Sequence, residues 1–205
     1  VREICDEYGI VMIADEVQSG FGRTGKFFAM EHYDVEADLI TSAKGLGGGM
    51  PISAVIGKAV IMDAPNPGGL GGTYAGNAVA VAAANAVCEI MSEDGFHERT
   101  TALGNQLEDM LRNLQKDVPQ IVDIRGDGLM VAIEFTENGT PRADLVGEIL
   151  KQERDNALIL LSCGTYGNCI RFLPPLTIED DVFAEALEIV SRTILNVTRS
   201  AAAAE

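Results

Sequence analysis

The run Ile40-Thr-Ser-Ala-Lys44-Gly-Leu-Gly-Gly-Gly49-Met-Pro51 constrains the fold of this chain more than any other stretch. An apolar and small-residue segment that ends in a lysine and passes at once into a glycine-rich turn reads as the carboxyl edge of a β-strand. Open α/β sheets hold their ligands there. Four glycines in five positions (Gly45, Gly47, Gly48, Gly49) remove β-carbons and let a flat ligand approach the backbone. A lysine partly buried at such an edge loses solvation of its charged form and becomes a usable nucleophilic amine, the chemistry of a Schiff-base lysine. A solvated surface lysine beside a turn is the bland alternative, and the stretch alone does not separate the two.

The flanks supply the surrounding elements. Val1, Ile4, Cys5 and Tyr8 recur at helical spacing, and Gly9 is placed to end that helix. Ile10-Val-Met-Ile-Ala14 then reads as a strand buried on both faces and ending at Asp15-Glu16, so a βαβ-type unit with a parallel sheet is expected. Apolar residues before Asp-Glu also resemble the magnesium-holding element of nucleotide hydrolases, but the matching GxxxxGK phosphate loop is absent from these 205 residues. Residues 18–25 form a glycine-broken loop, 27–32 a short helix or turn, 38–41 a second strand leading to Lys44, and 51–56 a third short strand. His32 has no partner at ligand spacing and reads as a packing or surface residue.

A loop rich in proline and glycine ends in Gly71-Gly72-Thr73, and residues 77–91 are apolar nearly all round, which predicts a buried helix. The free N–H groups of its first turn, with Thr73 just before, make either a phosphate cradle or an ordinary cap. Asp15 to Lys44 and Lys44 to Thr73 are each 29 residues, and each gap suits one crossover returning the chain to the same sheet edge. A carboxylate, an amine and a phosphate cradle are thereby expected on one crevice.

Charge and cysteine usage narrow the partners. With 31 acidic against 15 basic residues, the net charge of −16 disfavours nucleic acid and anionic membrane surfaces. Cys5, Cys88, Cys163 and Cys169 form no CxxC pair, so neither a metal site nor a disulfide scaffold is expected, and a reducing, cytoplasmic setting fits. Neither a signal-peptide pattern nor an apolar run of bilayer length occurs in the sequence. Val1 opens directly on a helical pattern, which suggests a start partway through a larger protein, and Ala201 to Glu205 reads as a frayed helix end or an added tail.

The remaining residues predict a second, smaller α/β domain. Leu103, Leu107, Met110, Leu111 and Leu114 share one face of a helix within 93–117, with His97 near its start read as a surface or capping residue. Residues 122–135 read as two strands around a glycine turn, 137–140 as a turn and 144–155 as a helix; Arg125 is expected in a structural ion pair. In Cys169-Ile-Arg171-Phe-Leu173 the alternation sets Arg171 opposite Ile170 and Phe172, and its guanidinium fork suits bidentate carboxylate binding. Thr177 and Asp180 form a capping signature for a closing helix packed through Phe183, Ala186, Leu187, Val190, Ile194 and Val197.

Three segments together carry a family resemblance. Ile13-Ala-Asp15-Glu-Val17-Gln18-Ser-Gly-Phe-Gly-Arg-Thr-Gly25, Thr41-Ser-Ala-Lys44-Gly-Leu-Gly-Gly-Gly-Met-Pro-Ile-Ser-Ala54 and Gly71-Gly-Thr-Tyr-Ala-Gly-Asn77 resemble the signatures of class III pyridoxal-phosphate aminotransferases. Within that class, residues 68–73 and 158–164 look most like the 4-aminobutyrate aminotransferases. The resemblance implies an α/β, fold-type I protein. Residues 1–98 would be the second half of its large, mostly parallel-sheet cofactor-binding domain, 99–117 a connecting helix and 118–205 the C-terminal small domain. It implies pyridoxal 5'-phosphate as cofactor and no metal. Lys44 would form the Schiff base and move the proton, while Asp15 would pair with the pyridine nitrogen. Val17 would pack beneath the ring and Gln18 would bond its hydroxyl. Gly72 and Thr73 would hold the phosphate of a neighbouring subunit's site, which makes a homodimer or higher homo-oligomer part of the mechanism. Arg171 would clamp 2-oxoglutarate or glutamate.

The implied reaction moves an amino group from 4-aminobutyrate, or a related ω-amino acid, to 2-oxoglutarate. Ornithine, acetylornithine or putrescine as donor, an aminomutase needing no external acceptor, and a truncated, non-catalytic or partner-dependent fragment are the alternatives. The family's other phosphate loop, ring-stacking aromatic, distal-carboxylate arginine and gating glutamate would all lie upstream of Val1, so weak or no cofactor binding is expected of these 205 residues alone.

Overall fold

The structure is a computed structural model that describes residues 1–202, so Ala203, Ala204 and Glu205 of the expected tail lie outside the described residues. The chain divides into two compact units, Val1–Arg99 and the residues from Thr100 onward.

The first unit opens with α1 (Arg2–Tyr8), ended by Gly9 at φ 63°, whose N–H donates to the Cys5 carbonyl. β1 (Ile13–Asp15) follows and pairs in parallel with β2 (Leu39–Ser42), with Asp15 opposite Thr41. β2 pairs antiparallel with β3 (Ala54–Gly57), giving a three-stranded sheet of order β1-β2-β3. The expected parallel sheet is therefore mixed. The link from β2 to β3 contains only a single 3-10 turn at Lys44–Gly47, and a parallel return needs a crossover of a dozen or more residues. The β1-to-β2 crossover likewise carries no α-helix, only a 3-10 helix at Ala29–His32.

Asp38 fastens this sheet to α1. Its carboxylate accepts from Lys58 Nζ at 2.6 Å, from the Met12 N–H at 2.7 Å and from Arg2 Nη1 at 2.9 Å. Those bonds, Lys58 first, hold its pKa well below the usual carboxylate range. The strand expected over Ile10–Ala14 is shorter and less covered than its composition suggests. Ala14 is its buried residue, whereas Ile10, Val11 and Ile13 are exposed, as are Val55 and Ile56 of β3. A narrow sheet has little with which to cover both faces.

Two helices complete the unit, the short α2 (Ala59–Met62) and α3 (Ala78–Met91). α3 is apolar nearly all round, but it buries Ala80, Ala84 and Met91 while Val79, Val81 and Ile90 stay exposed. The burial expected on every side is thus not realised within the described residues.

α4 (Phe96–Gln115) crosses the boundary between the units. The second unit continues with β4 (Ile121–Asp127), β5 (Met130–Glu137), β6 (Thr140–Pro141), α5 (Ala143–Asp155), β7 (Leu161–Cys163), β8 (Cys169–Phe172) and α6 (Asp180–Ala202). Its sheet runs β4-β5-β8-β7, antiparallel throughout, with β6 paired to β5. The core follows the sequence periodicities. Leu103, Leu107, Leu111 and Leu114 are the buried face of α4; Val131, Ile133 and Phe135 that of β5; Phe183, Val190, Ile194 and Val197 that of α6. Truncating a fully buried leucine such as Leu107 to alanine costs about 2–5 kcal/mol.

At Gly104 the α4 backbone approaches the β4–β5 turn so closely that a β-carbon would run into the carbonyl of Gly128. Only glycine permits that approach. One residue contradicts the apolar stripe of α5. Leu145, Val146 and Ile149 are followed at the next helical step by Glu153, which is fully buried with neither carboxylate oxygen hydrogen-bonded. Burial pushes its pKa up to about 7. No helix among the described residues is long and apolar enough to cross a membrane.

Candidate active site

Asp15 closes β1 and Glu16 follows it, and strand alternation sends consecutive side chains to opposite faces. The exposed Asp15 carboxylate accepts through Oδ1 from the Val17 N–H at 3.1 Å and from Thr41 Oγ1 at 3.2 Å. Its Oδ2 takes no hydrogen bond among the described residues and is available to a cationic group.

Glu16 is 2% exposed and turned inward. Its Oε2 accepts from Ser19 Oγ at 2.5 Å and the Ala29 N–H at 3.1 Å, and its Oε1 from the Met30 N–H at 2.8 Å. The two adjacent acids therefore divide the work: Glu16 folds the loop that carries Val17 and Gln18, and Asp15 faces outward. The sequence shows the two acids side by side at the end of one strand. Period-two alternation was the signal that could have separated them.

Lys44 lies two residues past the end of β2, the neighbour of β1. Its backbone is left-handed at φ 46°, a region that disfavours a side chain bearing a β-carbon and costs on the order of 1 kcal/mol. The turn behind it rests on α3, since a β-carbon at Gly48 would stand 2.9 Å from Val87 Cγ2. The partial burial expected of Lys44 is not seen, for the residue is exposed. The carboxyl ends of β1 and β2 thus bring Asp15, Val17 and Lys44 to one sheet edge, with Gln18 exposed on the loop that leaves it.

Gly72 and Thr73 lie elsewhere in the unit. They line an open hollow of about 740 Å³ with Pro51, Ile52, Ser53 and Asn77, and neither Asp15 nor Lys44 contributes to its walls. The first turn of α3 is not a free anion cradle, because Asn77 Oδ1 accepts from the Val79 N–H at 3.0 Å and the Ala80 N–H at 3.1 Å. The ordinary cap is the outcome there.

In the second unit Arg171 sits on β8, half-buried, opposite Leu161 of β7 and Ala132 of β5. It lines an apolar cavity of about 280 Å³ whose other walls include Leu107, Leu160, Phe172, Phe183 and Val190. Arg125 is engaged structurally, as expected: it is ion-paired to Asp123 and, at 2.9 Å, to Glu134, and these partners raise its pKa further. His32 Nε2 lies 3.0 Å from the Thr24 carbonyl oxygen, a packing role.

Residues 1–194 match the sequence profile of the class-III aminotransferases. A 5-aminovalerate aminotransferase from Pseudomonas putida is 50% identical over 199 residues, 96% of this chain and 47% of the relative. A 4-aminobutyrate aminotransferase from Escherichia coli is likewise 50% identical over 195 residues, 94% of this chain and 46% of the relative. The chain belongs to the class-III aminotransferases. It spans about half the length of the curated relatives that it matches.

Among solved structures, the ornithine aminotransferase of Toxoplasma gondii superposes with a TM-score of 0.86 at 33% identity, covering 97% of this chain and 46% of that one. The acetylornithine aminotransferase of Elizabethkingia anophelis does so with 0.83 at 36%, covering 95% and 48%. The α/β architecture is that of fold-type I, and membership of the class-III aminotransferases implies pyridoxal phosphate. The donor set fits such a group: a carboxylate with an open oxygen for a protonated ring nitrogen, an amine in the turn that follows the adjoining strand, and a glycine-lined hollow bearing the Thr73 hydroxyl.

Proposed function

We propose that the protein carrying this chain transfers an amino group from an ω-amino acid, 4-aminobutyrate or 5-aminovalerate, to 2-oxoglutarate. The observation that carries the reading is Lys44, held in a strained left-handed backbone two residues past the end of β2, the strand whose Thr41 is paired with Asp15 of β1. Strain of that kind persists where the surrounding structure over-determines it, and it gathers at functional sites.

Pyridoxal phosphate, when bound, supplies a sink for the electron pair left on the substrate carbon. Lys44 Nζ would hold the cofactor covalently in the resting protein and carry the proton to and from that carbon. Asp15, through Oδ2, would keep the proton on the ring nitrogen, and the Val17 N–H and Thr41 hydroxyl fix that carboxylate in place. Val17 would pack against the ring and Gln18 would bond its hydroxyl. Gly72 and Thr73 would bind the phosphate of a neighbouring subunit, in a homodimer or larger homo-oligomer. That arrangement is in keeping with a hollow to which Asp15 and Lys44 contribute nothing. Arg171 would pair with the α-carboxylate of 2-oxoglutarate or glutamate. Four unpaired cysteines are in keeping with a cytoplasmic setting.

The identities to the two named relatives are equal, so the donor is chosen by experiment. The intact protein, offered 4-aminobutyrate, 5-aminovalerate, ornithine and putrescine with 2-oxoglutarate, should form glutamate fastest with one of the first two, and Lys44→Ala should form none. Normal turnover by Lys44→Ala would overturn the role of the lysine, and preference for ornithine or putrescine would overturn the donor class. The exposed Lys44 and the uncovered Ile10, Val11 and Ile13 support a partner-dependent chain: the 205 residues alone should show no turnover.

A further inference from the structure

Cys163 and Cys169 are directly opposed in the β7–β8 pair. Residues opposed on antiparallel strands project from the same face with α-carbons about 4.5–5.5 Å apart, inside the roughly 4.4–6.8 Å range of disulfides. The turn between them brings Cys169 Sγ close to the backbone beside Cys163. Gly164, at φ 82°, has no β-carbon, and Cys169 Sγ lies 3.0 Å from where one would stand. The sulfur of Cys169 therefore leans toward the residue next to Cys163. The two thiols also differ in access. Cys163 is half-buried at the end of β7, the outermost strand of the sheet, whereas Cys169 is 2% exposed and its Sγ accepts from Arg125 Nη2 at 3.6 Å.

We propose that Cys163 and Cys169 form a dithiol modification site, which a low-molecular-weight disulfide such as oxidised glutathione closes to a cross-strand bond. The Cys163 thiolate attacks one glutathione sulfur, the glutathione S–S bond breaks, and one glutathione leaves as its thiol. Cys169 sulfur then attacks Cys163 sulfur and expels the second glutathione. The two protein thiols lose two electrons and two protons; both pass to the oxidant, which departs as two glutathione thiols. Accessible Cys163 is the attacking residue and buried Cys169 the resolving one, a division that follows from exposure. The closed bond ties β7 to β8 two register positions from the Leu161–Arg171 pair. The proposal does not rest on what Arg171 binds.

Both cysteines fall in one tryptic peptide, residues 155–171, so closure is read directly as that peptide two hydrogen masses lighter. The intact protein, incubated with oxidised glutathione and digested without reductant, should yield the lighter peptide while two free thiols per chain are lost. Dithiothreitol should restore both readings. Cys169→Ser should instead stop with one glutathione on Cys163. A wild-type 155–171 peptide that keeps both thiols, that stops at the glutathione adduct, or that is cross-linked to Cys5 or Cys88 would overturn the proposal.

Discussion

Replacing Glu153 by glutamine keeps its shape and removes its charge, so the variant isolates the cost of burying a carboxylate at the end of the α5 apolar stripe. The group is raised to about 7 from an ordinary 4.5 by burial alone. At about 1.4 kcal/mol per pH unit, that gap is worth about 3 kcal/mol. The sign follows from linkage. The folded state binds the proton more tightly than the unfolded state, so no penalty exists well below pH 4.5. Stability then drains away as the pH rises through about 7, where the buried group must ionise. Glu153→Gln should therefore gain on the wild type by about 2 kcal/mol between pH 5.5 and 8.5. Urea unfolding followed by amide exchange in β5 and β8 reads this unit separately from the first. Parallel pH curves for the two proteins, or a wild type that gains on the variant as pH rises, would refute the reasoning.

Arg171→Ala should raise the KM for 2-oxoglutarate by a factor of about 30–150, the loss of about 2–3 kcal/mol of charge-assisted hydrogen bonding; an unchanged KM in steady-state kinetics would exclude a carboxylate contact. Gly104→Ala places a β-carbon against the Gly128 carbonyl and should cost about 1–3 kcal/mol, seen as a lower urea midpoint for the second unit. Asn77→Ala removes the cap that accepts two N–H groups of α3 and should cost about 1 kcal/mol, with Asn77→Asp retaining most of it. Equal thermal midpoints for all three proteins would contradict that role.

The longer elements of the second unit are legible in the sequence because they meet the core through one periodic face. Leu103 to Leu114 and Val131 to Phe135 show this directly. The short strands β6 and β7 bury no residue and leave no such signal. In the first unit the same reasoning went astray wherever apolar composition was equated with burial. Ile10, Val11 and Ile13 read as a doubly covered strand, and residues 77–91 as a buried helix, yet a three-stranded sheet leaves those side chains open among the described residues. The antiparallel turn of β3 was hidden because direction depends on the connection, and the short link with its 3-10 turn leaves no room for a parallel return.

Turn chemistry marks Asp15, Lys44 and Thr73 in the sequence, but the single crevice expected of them is not seen, since the hollow lined by Thr73 takes no wall from Asp15 or Lys44. Alternation alone distinguishes outward Asp15 from inward Glu16, and only coordinates show Thr41 bracing that carboxylate or Asn77 consuming the first N–H groups of α3. Glu153 could not have been found from pattern, since a glutamate among Gln152 and Arg154 reads as solvated surface.

Borohydride reduction of the intact protein with bound pyridoxal phosphate, followed by tryptic mapping, tests the central claim most directly. The pyridoxyl group should appear on Lys44, in an uncut peptide spanning residues 27–58, because a modified Lys44 no longer admits trypsin. Label on Lys26, Lys58 or any other lysine, with Lys44 cleaved normally, would contradict it.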